Sequence, residues 1–238
     1  MIDSSQTWDA SLQQAIADLQ RSTADQPRNV DELHAHMRMR TLQLIAGDER
    51  AAFHPIPGAA PAQQDFWAQQ LFAMATYLDS KRLSDEKQRA AAALVHLDEA
   101  RGRLAELATL QVRNAALVTE VTGFGAYAPV NETRFRAGEE ITLYAEIENL
   151  RSQSTVDGYQ TVLSTSYQVV DETGRRVDGA QFPDVEDVCR TRRRDFHMQY
   201  GIALPTRIYP GPYELQLIVT DQLSNKIGQA SVALEIIE

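Results

Sequence analysis

Hydrophobic and polar positions along the chain follow two periods, one helical and one extended. Over the first 110 residues apolar side chains recur every three to four positions, as on one face of a helix. Trp8, Leu12, Ala15, Ile16 and Leu19 form a first stripe, and Pro27 ends the connection after it. Asn29 is placed to cap a second helix with Glu32 as its capping-box partner, and Val30, Leu33, Met37, Thr41 and Leu44 face inward. Gly47 is a natural stop, and "GDERAAFHPIPGAA" at 47–60 reads as an ordered surface loop. Pro61 suits the first turn of a third helix with Trp67, Leu71, Met74 and Leu78 as its stripe, flanked by Phe66 and Tyr77. Ser84 is the expected cap of a fourth helix, where Asp85 and Glu86 meet the positive dipole end. In it Leu83, Ala90, Leu97 and Leu104 recur every seven residues, supported by Ala93, Leu94, Ala100 and Leu107. An internal seam of a four-helix bundle is the preferred reading of that repeat, and a coiled-coil dimer the alternative.

After about residue 111 the period becomes two. In "EEITLYAEIEN" Ile141, Leu143, Ala145 and Ile147 point one way, while Thr142, Tyr144, Glu146 and Glu148 point the other. Phe196, Met198, Tyr200, Ile202 and Leu204 form the inward set of "DFHMQYGIALP", which Pro205 closes. Tyr213, Leu215, Leu217 and Val219 pair with Ala230, Val232, Leu234 and Ile236 in a hairpin turned at Leu223–Lys226. With "ALVTEVTGFGAY" and "GYQTVLSTSYQVVDETGRRV" this makes about seven strands, the pattern of a two-sheet sandwich. The Tyr213 hydroxyl is placed to tie down the corner before Gly211-Pro212. The expected fold class is α+β in two domains: a helical bundle over 1–110 and an immunoglobulin-like antiparallel β-sandwich over 111–238, with little linker between.

Composition narrows the function classes. A net charge of −10 disfavours a general attraction to nucleic acid or anionic lipid, so no nucleic-acid partner is expected. Cys189 is the only cysteine, which excludes an intramolecular disulfide and a Cys/His zinc cluster. No apolar run approaches the roughly 18 to 20 residues of a transmembrane helix. "MIDSSQTWDA" lacks the basic and apolar parts of a signal peptide, so localisation stays open between the cytoplasm and, were a signal trimmed, the cell envelope or periplasm.

The stretches "FRAGEEITLYAEIEN", "GYQTVLSTSYQVVDETGRRV", "CRTRRRDFHMQY" and "LPTRIYPGPYELQLIVTDQLSNKIGQAS" resemble a family of uncharacterised bacterial proteins of planctomycete type. The likeness runs over about residues 105–238, with an echo in "QDFWAQQLFAMATYLD". It implies the sandwich fold and no active site.

Candidate chemistry is sparse. No GxSxG elbow, phosphate loop, HExxH helix or GxGxxG turn occurs, so no catalytic residue, cofactor or metal ligand is expected. His34 and His36 stand two apart on a helix, turned by about 200°, and cannot share an ion. Asp184, Glu186 and Asp187 in "FPDVEDVC" read as a solvated acidic loop, with calcium chelation the alternative. The strongest charge feature is Arg190, Arg192, Arg193 and Arg194, a contact for an anion or acidic partner unless these arginines pair internally with "DVED". The leading expectation is a non-catalytic structural or protein-interaction module with a protein partner, in a bacterial envelope or secretory system. The alternatives are a hydrolase or metal-assisted enzyme with its site at the junction of helical bundle and sandwich, using residues such as His54, Asp184 and Arg194, and a carbohydrate-binding sandwich presenting Tyr144.

Overall fold

The computed structural model describes residues 4–194 and 196–238; residues 1–3, part of the stretch read for an export signal, and Asp195 lie outside them. The chain is α+β and divides into two compact units, Met1–Leu107 and Ala108–Glu238. The first contains helices α1 (Ser4–Ser22), α2 (Val30–Ile45), α3 (Glu49–Ala52), α4 (Pro61–Leu78) and α5 (Glu86–Leu107). The second contains strands β1 (Gln111–Gly123), β2 (Ala126–Pro129), β3 (Arg134–Arg136), β4 (Glu140–Glu148), β5 (Gln153–Thr155) and β6 (Gly158–Asp171). It continues with β7 (Arg176–Gln181), β8 (Val185–Cys189), β9 (His197–Ala203), β10 (Gly211–Asp221) and β11 (Lys226–Ile237).

Among the described residues five helices stand where the apolar stripes predict four. The additional one, α3, sits inside the segment read as loop, where the Asp48 carboxylate accepts the Ala51 amide at 3.0 Å and caps one short turn. Arg40 of α2 holds it from behind, donating to the Ala51 carbonyl at 3.0 Å and to Gln43 at 3.1 Å. At the start of α2, Asn29 accepts the Glu32 amide at 2.9 Å. The Glu32 carboxylate returns to the Arg28 amide at 2.8 Å, one residue earlier than a capping box requires. Helix α5 begins at Glu86, with Asp85 rather than Ser84 accepting the Lys87 amide, so Leu83 falls outside it. Helices α4 and α5 lie antiparallel, with Tyr77 at Glu86, Gln69 at His96 and Asp65 at Arg103, and Ala93 and Ala100 of α5, on the side of His96, are buried. Short alanine side chains let the two backbones approach; the leucines of the same helix are left to its flank.

In the second unit a four-stranded sheet, β2-β1-β4-β9, packs on a seven-stranded sheet whose path is β3-β11-β10-β6-β5, with β7 and β8 also paired to β6. One core joins them: Leu117, Leu143, Ile147 and Ile202 from the first sheet meet Leu163, Val169, Leu215, Leu217 and Ile236 from the second. Burying each such side chain contributes about 1.5–3 kcal/mol. The result is a β-sandwich with eleven strands among the described residues, more than the pattern led us to expect. The additional ones are short, β3 and β5 having three residues each, too few for alternation to register. Pairing is antiparallel throughout except that β3 runs parallel to β11, so the second sheet is mixed. The segment read as an acidic loop is β8, in register with β6 from Tyr159↔Cys189 to Leu163↔Val185.

The hairpin β10–β11 turns as the sequence pattern indicates. Asp221 is fully buried and organises the turn: its carboxylate accepts the Leu223 amide at 3.0 Å, the Ser224 hydroxyl at 2.6 Å and the Arg151 amide at 2.8 Å. Asn225 adopts φ 57, a left-handed conformation that asparagine tolerates better than most residues. At the other end the Tyr213 hydroxyl donates to the Tyr209 carbonyl at 2.9 Å, tying down the corner.

Candidate functional site

The arginine segment follows β8 directly, and its side chains divide by environment. Arg193 donates from Nε and Nη2 to both oxygens of Asp187 at 2.9 and 3.1 Å, a bidentate pair, and its Nε also approaches Cys189 Sγ at 3.1 Å. Its guanidinium lies 5.8 Å from the Phe196 ring, and that of Arg192 lies 5.2 Å from Tyr159. Arg190, Arg193 and Arg194 are exposed, and Arg192 is half-buried. The hydrogen bond to Asp187 raises the Arg193 pKa further above its ordinary value. Burial pushes the Asp187 carboxyl up, but hydrogen bonds from Arg193 and Cys189 outweigh it and leave the group below its ordinary range. Asp171 is depressed as well, chiefly by the Thr173 hydroxyl and the Arg175 amide.

A pH dependence follows from these two groups. Their folded pKa values lie below the unfolded value of 3.8, so their contribution is fully present above that pH and is lost as the pH falls through the lower folded values. The urea midpoint of the full chain, measured by circular dichroism, should therefore drop below about pH 4. Asp187→Asn should remove part of that drop; an equal drop in the variant would show that the pair does not contribute.

The carboxylates of β4 separate. Glu148 pairs with Arg113 at 3.2 Å near the surface. Glu146 is 4% exposed, and its two oxygens accept the Tyr144 hydroxyl at 2.8 Å and the Asn114 amide at 2.7 Å. Asn114 reaches it from a bulge in β1, where three residues advance against two of β4 and φ is 51. Tyr144 itself is 0% exposed. The β1–β2 hairpin covers it: Tyr127 stacks on its ring at a centroid distance of 4.2 Å and the Gly125 amide donates to its oxygen at 2.8 Å. Burial, above all, pushes the Tyr144 hydroxyl up to about 12. The expectation that Tyr144 presents its ring to a sugar is thereby overturned, because the alternation of β4 exposes neither face. His197 lies opposite Glu146 on β9, with its ring 5.8 Å from Tyr144.

The other predicted residues stay apart or engage local backbone. His34 is exposed, whereas His36 is buried with Nε2 2.9 Å from the Ala24 carbonyl. His54 belongs to the first unit; Asp184 is exposed and, with Arg194, belongs to the second. Glu186 and Asp187 alternate across β8 and face opposite sides. Among the described residues no group of three or more His, Cys, Asp or Glu side chains converges as a metal site. Among them, too, no helix is long and apolar enough to cross a membrane.

Two depressions and one apolar face stand out on the surface of the described residues. A cleft of about 460 Å³ in the first unit has Phe53 and Phe72 as its floor and Asp79, Arg82 and His96 at its edge. Its polar groups are engaged locally: Asp79 accepts the Arg82 amide at 2.9 Å, and His96 Nδ1 lies 2.8 Å from Gln69. A shallow groove on the seven-stranded sheet is lined by Gln168, Glu214, Gln216 and Tyr213, the last tied to Tyr209. The apolar face lies on the α4–α5 pair. Leu94, Leu97 and Leu104 are 57%, 41% and 48% exposed, and Met74, Tyr77 and Leu78 of α4 are exposed too. Ala92 and His96 line the cleft with Phe72 and Thr76, so helical spacing sets Leu94, Leu97 and Leu104 on the opposite flank of the pair. The heptad leucines Leu97 and Leu104, expected in an internal seam, are therefore outside it, and Leu83 is not part of the helix.

Comparison with known proteins matches the chain to no family model and to no curated protein. Among solved structures it is similar to Pseudomonas fluorescens alkylpurine DNA glycosylase AlkC bound to DNA containing an abasic site analog, at 12% identity, covering 87% of this chain and 72% of that one, with a TM-score of 0.33. It is also similar to a superoxide reductase (neelaredoxin) from Ignicoccus hospitalis, at 10% identity over 57% of this chain and 86% of that one, TM-score 0.32. A third is an immunoglobulin-like protein from Pseudomonas aeruginosa, at 12% identity over 55% of this chain and 98% of that one, TM-score 0.30. At such overlaps the likeness carries no argument about activity.

Proposed function

We propose that the chain is a non-catalytic protein-interaction module, a helical domain joined to an immunoglobulin-like sandwich, and that it docks another apolar helix through the open face of α4 and α5. The observation that carries this reading is the exposure of Leu94, Leu97 and Leu104 on one flank of a helix. Soluble proteins rarely leave large apolar side chains grouped in this way unless something covers them, and helical spacing of the anchors suits a helical occupant. The sandwich supports the scaffold role: its largest buried side chains, including Leu143, Leu215 and Leu217, hold the two sheets together. The Tyr213–Tyr209 corner bond and the two stacked sheets favour the immunoglobulin-like reading over other sandwiches.

The test places a photo-crosslinking amino acid at Leu94 in the full chain. Irradiation in an extract of the cells that make the protein should yield a saturable protein adduct, reduced at least about tenfold by Leu104→Asp. No protein adduct, together with turnover on a hydrolase panel that a point substitution abolishes, would overturn the reading.

A further inference from the structure

We infer that the cleft in the first unit binds a free apolar α-amino acid, its side chain laid on the Phe53 and Phe72 rings and its ammonium and carboxylate held by the charges at the edge. The inference goes beyond the docking reading, because the cleft lies on the other flank of the helix pair from Leu94, Leu97 and Leu104. At about 460 Å³ it has the size of a small-molecule site, an apolar hollow with a few convergent polar groups.

The floor is a row of half-buried rings. Phe53 and Phe72 stand 4.5 Å apart between centroids, and His96 lies 5.7 Å from Phe72. An apolar body placed against them removes that surface from water. At the edge the local bonds use only Asp79 Oδ1, which accepts the Arg82 amide, and His96 Nδ1, which faces Gln69. Asp79 Oδ2 stays open. Among the described residues the Glu49 carboxylate and the Arg82 guanidinium make no hydrogen bond or ion pair, although both line the cleft. Asp79 and Arg82 stand three residues apart in one turn, so an anion and a cation lie side by side, as they do on an α-amino acid. A simple organic anion would meet two carboxylates beside Arg82, and a simple amine would meet Arg82 beside the carboxylates. A zwitterion satisfies both signs, with the Arg82 fork on its carboxylate.

The turn that carries these charges is held from below. Arg89 donates from Nε to the Tyr77 carbonyl at 3.0 Å and from Nη1 to the Leu83 and Ser84 carbonyls at 2.7 and 2.9 Å. The Asp79 carbonyl accepts the Leu83 amide at 3.2 Å. One anchored cation thus occupies the main-chain oxygens of the turn and leaves its charged side chains for a ligand. The bond from His96 to Gln69 ties α5 to α4 beside the rings. A rim and floor fixed in this way lose little freedom when a ligand enters.

Isothermal titration calorimetry of the full chain with L-phenylalanine or L-leucine, up to about 5 mM, should give one saturable site per chain. Phenethylamine, which lacks the carboxylate, and 3-phenylpropanoate, which lacks the ammonium, should each bind at least about tenfold more weakly than phenylalanine. Arg82→Gln should weaken phenylalanine about tenfold and leave phenethylamine unchanged. Asp79→Asn keeps an oxygen for the Arg82 amide; it should weaken phenylalanine and leave 3-phenylpropanoate unchanged. Circular dichroism of both variants should match wild type. No saturable heat with either amino acid overturns the inference, as does wild-type affinity for phenylalanine in both variants. An analogue that binds as tightly as phenylalanine overturns the assignment of a zwitterion.

Discussion

Asp221→Ala should destabilise the strand-rich unit by about 3 kcal/mol or more, the largest effect expected of any polar substitution in the chain. The carboxylate is fully buried beneath the β10–β11 turn and accepts from the Arg151 amide, the Leu223 amide and the Ser224 hydroxyl. Alanine removes every acceptor at once. Each buried donor left without a partner costs about 1–3 kcal/mol, and the methyl group admits too little water to replace them. The damage should extend past the turn, because Arg151 belongs to the segment between β4 and β5 and its guanidinium also donates to the Leu223 carbonyl at 3.0 Å. Asp221→Asn keeps one carbonyl oxygen and should cost roughly half as much. Urea unfolding followed by circular dichroism gives the magnitudes, and hydrogen exchange at β10 and β11 localises them. An alanine variant within about 0.5 kcal/mol of wild type would show that the turn stands without these bonds.

Leu217→Ala is the second large effect, at about 2–5 kcal/mol. Leu217 is 0% exposed, sits midway along β10, and has strands on both sides, opposite Tyr167 of β6 and Ala230 of β11. With both neighbours held by main-chain ladders, the sheet cannot collapse into the space, so a cavity term adds to the lost transfer energy. Leu97→Ala removes the same atoms from a flank 41% exposed and should stay within about 0.5 kcal/mol in dilute solution. The contrast separates burial from hydrophobicity. Tryptophan emission comes from Trp8 and Trp67, both in the first unit, and gives a reference signal independent of β10. Equal costs for the two leucines would mean that the α5 flank is covered within the monomer.

Much of the local structure was legible because it depends on neighbours in sequence. Asn29 caps α2, Pro61 opens α4, and the β10–β11 hairpin turns between Asp221 and Lys226, each fixed by backbone preferences of a few adjacent residues. Alternation likewise identified Leu215, Leu217 and Val219 as inward residues, since period two assigns a face regardless of what lies across it. The segment 185–189 was misread for the opposite reason. Its carboxylates suit a loop, but pairing with β6 supplies main-chain partners that no local rule anticipates.

What the tertiary structure alone decided is which faces are covered. Periodicity groups Tyr144 with Glu146 and Leu97 with Leu104, yet it carries no information about the layer above them. Tyr144 and Glu146 are buried because the β1–β2 hairpin folds back over β4 and Asn114 reaches in from a bulge, contacts between residues 19 and 32 positions apart. Leu97 and Leu104 are exposed because Ala93 and Ala100, one step round the helix, give α4 the closer approach. Apolar residues compete for a limited contact area, and the small ones won it by letting two backbones come together, which left the leucines exposed.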